Sequence, residues 1–157
     1  MLVRLPLVAT PYMTSTAMAH PFTIRRRVEF RDTDAAGIVH FSVFFNYMEV
    51  AEHELMRSLG TSVVTSDADG MISWPRVSVA CEYRGALKFE DEFEIQVSIE
   101  RLGDKSVSYV FEFVKDGLEV ARGRITAVCC RIEHGAPPKS MPIPAPIAEK
   151  LRPLVKS

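Results

Sequence analysis

The sequence predicts an α+β fold in which one long helix packs on an antiparallel sheet, and three observations carry that reading. A single long amphipathic stretch begins between Val39 and Val43 and ends at Gly60, with Phe44, Met48, Ala51, Leu55 and Leu59 recurring at helical spacing. Later in the chain, residues 92–102, 106–115 and 118–132 have β patterning and are separated by hairpin signals. Helix and strands occupy separate parts of the chain, which favours a helix layered on an antiparallel sheet over alternating βαβ units.

Taken in order, residues 23–30 (TIRRRVEF) read as an edge or half-exposed strand, with Ile24, Val28 and Phe30 on one side. The three arginines between them suit either phosphate contact or a solvated face, the usual role of a charge run. A polar turn at residues 31–37 (RDTDAAG) leads into the helix, and Gly60 suits the left-handed position beyond its end. Glu49, Glu52, His53 and Arg57 fall on the helix's other faces, where Glu52 and His53 are expected to be exposed or between subunits. Residues 61–70 read as a loop whose Asp67-Ala68-Asp69-Gly70 is too short for a calcium site. Residues 72–83 read as one strand with Pro75 near its start, where a missing donor is tolerated, and Trp74 as core or pocket wall. Gly103-Asp104 and Asp116-Gly117 supply the turns of a three-stranded meander. The tail holds four prolines before Ala145 and then a short helix that Pro153 limits.

The chain of 157 residues fits a single domain, expected over residues 23–157, with residues 1–22 as a disordered extension. Ala17-Met18-Ala19 mimics a signal-peptidase site, but Pro6 and Pro11 interrupt the apolar run before it. A net charge of −1 makes no electrostatic case for nucleic acid. No stretch approaches the roughly 20 apolar residues of a membrane span. Cys81, Cys129 and Cys130 have no metal-ligand spacing and no disulfide framework, so a reducing, cytoplasmic setting is expected.

Chemistry is concentrated where the polar turn meets the helix. A helix N-terminus offers backbone N–H groups without intrahelical partners and the positive end of the dipole. An aspartate a few residues upstream can sit beside the same pocket, placing a carboxylate next to donors suited to a developing negative charge. Asp32 and Asp34 equally suit an Asx turn or a helix cap, and the residues alone leave that open.

The run D-T-D-A-A-G-I-V-H-F from Asp32, followed by Tyr47-Met48-Glu49 and Ala51-Glu52, resembles the hotdog-fold acyl-CoA thioesterases of the 4-hydroxybenzoyl-CoA thioesterase and YbgC type over residues 24–132. That resemblance implies a hotdog fold, an antiparallel sheet of about five strands wrapped around one long central helix, in a homodimer or homotetramer with active sites at the subunit interface. It implies hydrolysis of an acyl-CoA to a free acid and coenzyme A, without metal or further cofactor. Asp34 matches the family's catalytic carboxylate, nucleophile or general base, and the backbone N–H of Phe41 its oxyanion donor. Gly37 would let the backbone approach the acyl carbonyl, and Asp32 would orient. Family members carry a histidine one position later than His40, after a tyrosine, so His40 either polarises the carbonyl or is a satisfied pocket residue. Glu49 holds the helical-acid position, a catalytic base in a related subgroup or a buried acid at the dimer interface. Lys105-Ser106 matches a coenzyme A contact, while Gly103-Asp104 replaces the family's arginine pair; Arg101, Arg84 and Lys88 are further candidates for the phosphates. An acyl-carrier-protein thioesterase and a noncatalytic acyl-CoA-binding protein are the alternatives, and the acyl group is not legible.

Overall fold

The computed structural model describes residues 21–156, so the expected extension lies outside it apart from Pro21 and Phe22. In order come β1 (Phe22–Arg27), a 3₁₀ turn (Phe30–Asp32), α1 (Val43–Ser58), β2 (Thr65–Asp67), β3 (Gly70–Ser73), β4 (Arg76–Tyr83) and β5 (Glu92–Leu102). Then follow β6 (Ser106–Lys115), β7 (Leu118–Val128), β8 (Cys130–Ile132), β9 (Lys139–Ser140) and α2 (Ala145–Leu151). Five strands form one antiparallel sheet in the order β1-β5-β6-β7-β4, and four short ones a second sheet in the order β2-β3-β8-β9. The α+β class and the meander stand as expected; the second sheet was not foreseen.

The helix and the main sheet meet through the period-2 pattern of the strands, with Ser98, Val110 and Val120 buried besides. On β5 to β7 the odd-numbered residues Phe93, Ile95, Val97, Ile99, Tyr109, Phe111, Phe113, Ala121, Ile125 and Ala127 are buried, as period-2 patterning demands. Against them α1 places Phe44, Met48, Ala51 and Leu55. The approach is closest over β7, where a Cβ on Gly123 would stand 2.0 Å from the Met48 sulfur. Gly60 takes φ +70° beyond α1, and Asp116 and Gly117 have φ of 52° and 77°, the two positive values of a type I′ hairpin.

Four expectations need correction. Residues 72–83 are two strands in different sheets, because Trp74 and Pro75 interrupt the ladder and proline has no N–H to give it. Residues 118–132 likewise divide at Cys129, whose N–H turns away to the Lys105 carbonyl at 2.7 Å. Residues 61–70 contain β2, which pairs with β3 across a turn fastened by the Arg131–Asp67 ion pair at 2.6 Å. Phe30 does not continue β1: the chain leaves the sheet after Arg27, and Phe30 lies 75% exposed in the 3₁₀ turn.

Glu52 is the fifth correction, since its expected exposure gives way to a carboxylate only 1% exposed beneath α1. Arg76 Nη2 lies 2.5 Å from it, and Glu49 and His53 flank the pair from the outside. Helical periodicity misplaced Glu52 because the partner that makes its burial tolerable comes from β4. Burial raises the Glu52 pKa above its ordinary 4.5, with the Arg76 charge pulling the other way.

Two stability predictions result. A raised carboxyl pKa contributes stability that is complete below about pH 4.5 and is lost as pH rises through the raised value. Urea unfolding of Glu52→Gln from pH 4 to 8 should therefore show the variant gaining on the wild type as pH rises; parallel profiles would show that Glu52 does not titrate this way. Gly123→Ala should cost about 1–3 kcal/mol, because Met48 is fully buried and must move against its neighbours. An unchanged urea midpoint would refute the close contact.

Candidate active site

Residues 32–41 fold into a miniature hairpin, bridged at Thr33–Val39, that leads straight into α1. The Asp34 N–H donates to the Ile38 carbonyl at 2.9 Å, and the Gly37 N–H to the Asp34 carbonyl at 2.9 Å. Closing so short a turn requires positive φ at Gly37, which has +76° and open space where a side chain would be. The Asp34 carboxylate accepts the Ala36 N–H through Oδ1 at 2.8 Å, an Asx turn. Its second oxygen has no partner among the described residues, and the side chain is half-buried. The Asx turn thus occupies one oxygen of the group and leaves the other open among the described residues.

Asp32 is the hub of the turn. Its Oδ2 accepts the Tyr47 hydroxyl at 2.7 Å and the Glu29 N–H at 3.1 Å, and its carbonyl accepts the His40 N–H at 2.9 Å. His40 Nδ1 lies 2.8 Å from Ser42 Oγ and accepts the Ser42 N–H at 3.3 Å, which leaves Nε2 as the ring's second polar atom. Phe41 lies between these anchors with its ring 60% exposed. Its carbonyl accepts the Tyr83 hydroxyl at 2.8 Å, while its N–H meets no acceptor among the described residues. The turn is also laced to the segment before β5, by the Val39 N–H to the Leu87 carbonyl at 2.8 Å and a bridge between Ile38 and Lys88.

The structure therefore brings together Asp32, Asp34, Gly37, His40 and Phe41. Glu49 is not placed among them within its own chain: it lies exposed on α1, 3.9 Å from Arg76 and 4.0 Å from His53. Arg101, Lys105 and Ser106 belong to the far end of the sheet. Tyr47 and the turn sit beside Phe93 at the start of β5, and the β5–β6 hairpin lies nine residues along that strand, roughly 30 Å away. Lys88, by contrast, is adjacent to the turn. The roles of the Tyr47 and Tyr83 hydroxyls escaped sequence reasoning; Tyr47 was visible only as part of a motif, and no local signal in β4 points Tyr83 at Phe41.

A cleft of about 1060 Å³ runs over β1, β5 and the β6–β7 turn, with Arg25, Glu94, Gln96 and Glu112 on its walls, and contains none of Asp34, His40 or Phe41. Of the three arginines that line it, Arg25 is paired with Glu94 at 3.2 Å and Arg27 with Glu92. Among the described residues no three of His, Cys, Asp or Glu gather as a metal-binding group, and no helix is long and apolar enough to cross a membrane.

Residues 28–151 match the thioesterase-like superfamily. A relative from Aquifex aeolicus, whose name marks it as an esterase by presumption only, is 33% identical over 132 residues, covering 84% of this chain and 98% of its own. A 1,4-dihydroxy-2-naphthoyl-CoA hydrolase of Prochlorococcus marinus is 28% identical over 114 residues, covering 67% and 75%. Among solved structures, a gentisyl-coenzyme A thioesterase superposes with a TM-score of 0.72 at 30% identity, over 83% of this chain and 99% of that one. With the Asp34 turn, the long helix and the five-stranded sheet in hand, the match over most of the chain settles its kinship: the chain belongs to the thioesterase-like superfamily.

Proposed function

We propose that the chain hydrolyses an acyl-CoA thioester to a carboxylic acid and coenzyme A at the 32–41 turn. The observation that carries the reading is the pairing of a carboxylate oxygen with no partner on Asp34 and an unengaged N–H on Phe41, within one hydrogen-bonded turn. Asp34 is anchored through Oδ1, so its other oxygen is presented in a fixed orientation, as base toward water or as nucleophile toward the thioester carbonyl. The carbonyl oxygen becomes negative as the tetrahedral centre forms, and the Phe41 N–H, just ahead of the positive end of α1, stabilises it. The C–S bond then breaks and coenzyme A leaves as the thiol, taking up the proton that Asp34 drew from the attacking water; in the nucleophilic route the thiolate takes its proton from solvent and water then hydrolyses the acyl–Asp34 anhydride to the free acid. His40 is held by Ser42 and serves the wall of the site, with Nε2 its one remaining polar atom.

The names of two relatives point to hydroxylated aromatic acyl groups. The exposed Phe41 ring and the half-exposed Tyr83 beside it support an aromatic acyl group here as well. The partner is a second copy. β4 has an unpaired outer edge and exposes Val77 (64%) and Val79 (44%), which a sheet continued across two subunits would cover. Because the Lys105-Ser106 hairpin is so far from the turn of its own chain, a phosphate contact by that hairpin belongs to coenzyme A bound at the other subunit's turn.

Thiol release from aromatic, short-chain and long-chain acyl-CoAs tests the reading. Asp34→Asn, folded as the wild type, should lose about 10²–10⁴-fold in kcat, the range for a lost general base. Equal turnover by the two proteins would sink the Asp34 mechanism. Wild-type turnover of carrier-protein thioesters alone would reassign the substrate, and none with either class would leave a binding protein.

A further inference from the structure

The geometry points to Tyr47 and Tyr83 as positioning residues that hold the 32–41 turn from two sides, for the thioester hydrolysis proposed above. Neither hydroxyl reaches Asp34 or the Phe41 N–H; each acts through a group that does the reaching.

Tyr47 lies on the buried face of α1, its ring packed between Phe44 and Phe93 at centroid distances of 6.2 and 5.1 Å. A hydroxyl in such surroundings is costly without a partner, and among the described residues its one partner is Asp32 Oδ2 at 2.7 Å. Burial, reinforced by the Asp32 bond, raises the phenol pKa well above its ordinary 10.0, so it remains a donor throughout the working pH range. Asp32 passes the constraint on, through Oδ2 to the Glu29 N–H and through its carbonyl to the His40 N–H. The helix interior thus grips both ends of the turn through one aspartate.

Tyr83 makes the second attachment from β4. Its ring stands edge-on to Phe44 at 5.2 Å, and its hydroxyl donates to the Phe41 carbonyl at 2.8 Å. Burial, with the neighbouring Cys81, raises its pKa to about 12, which again keeps the donor protonated. The ring is 44% exposed, so water could serve this hydroxyl in the absence of Phe41. Satisfying a buried polar group therefore does not explain the Tyr83 contact, whereas fixing the peptide beside the oxyanion donor does. Phe41 is held on one side by His40 N–H to Asp32 and on the other by its own carbonyl to Tyr83, and among the described residues its backbone N–H, the group the proposed chemistry uses, is left unengaged. Phe44 touches both tyrosine rings, so the two attachments share one support.

Tyr47→Phe and Tyr83→Phe test the assignment through two readouts. A turn released from one side loses orientation rather than substrate affinity, so kcat should fall about 10–100-fold in each variant while KM stays within about twofold. Because both bonds steady one segment, the double variant should lose less than the product of the single losses. Independently of activity, native-state amide exchange in Tyr47→Phe should quicken about tenfold or more at His40 and Asp34, with the β6 amides unchanged. Unchanged exchange at those two amides in folded Tyr47→Phe overturns the assignment, as does a rise in KM alone. A wild type without thioesterase activity defeats the hydrolase reading and with it the Tyr83 assignment, and the exchange data then decide the role of Tyr47 by themselves.

Discussion

The closeness of α1 to β7 is the constraint on which the rest of the molecule depends. Met48 fits against the sheet only because Gly123 has no side chain, and Ala121 and Ala127 on the same strand are small and fully buried as well. A helix seated this deeply buries Phe44, Tyr47, Ala51 and Leu55 at once, so its rotation and axial position are set by packing rather than by its ends. Those ends matter for chemistry, since the residues that enter α1 are the residues of the turn. Fixing the helix on the sheet therefore fixes where residues 32–41 can lie.

Two kinds of interaction meet at that turn. Its own hairpin bonds, between Asp34, Gly37 and Ile38, are local and follow from a few residues of sequence. Its placement relies on groups far away in the chain: Tyr47 in the helix, Tyr83 at the end of β4, and Leu87 and Lys88 before β5. The local bonds give the turn its shape, and the distant ones give it an address. Buried ionic chemistry is kept apart from it, in the Glu52–Arg76 pair along the same helix.

What was legible in the sequence divides along the same line. The helix, the β5–β6–β7 meander and the Asp116-Gly117 hairpin were readable because each is dictated by periodicity or by residues that accept positive φ. The gathering of Asp34, Gly37, His40 and Phe41 was readable because they are neighbours in the chain. The breaks at Trp74-Pro75 and at Cys129 were not, since both segments keep strand-like composition while the chain crosses from one sheet to the other. Nor could periodicity reveal that Glu52 is buried, because the arginine that makes its burial tolerable comes from β4. The distance of Lys105 and Ser106 from the turn of their own chain was not legible either, for a topological reason: β5 runs the length of the sheet between them.

The pairing of β1 with β5 bears on how the molecule assembles. Ile24 lies opposite Ile95, so this ladder closes only after the helix, the loop and β4 have been gathered between them, whereas β5, β6 and β7 join through turns of a few residues. Loop-closure entropy makes the meander the early, inexpensive nucleus and the docking of β1 a late event. The 32–41 turn is strung between β1 and α1, and so takes its final form only when the slowest contacts are made. A chain arrested before that step would carry a nearly complete sheet beside an unformed turn, so the 32–41 segment reports on the end of folding rather than on its beginning.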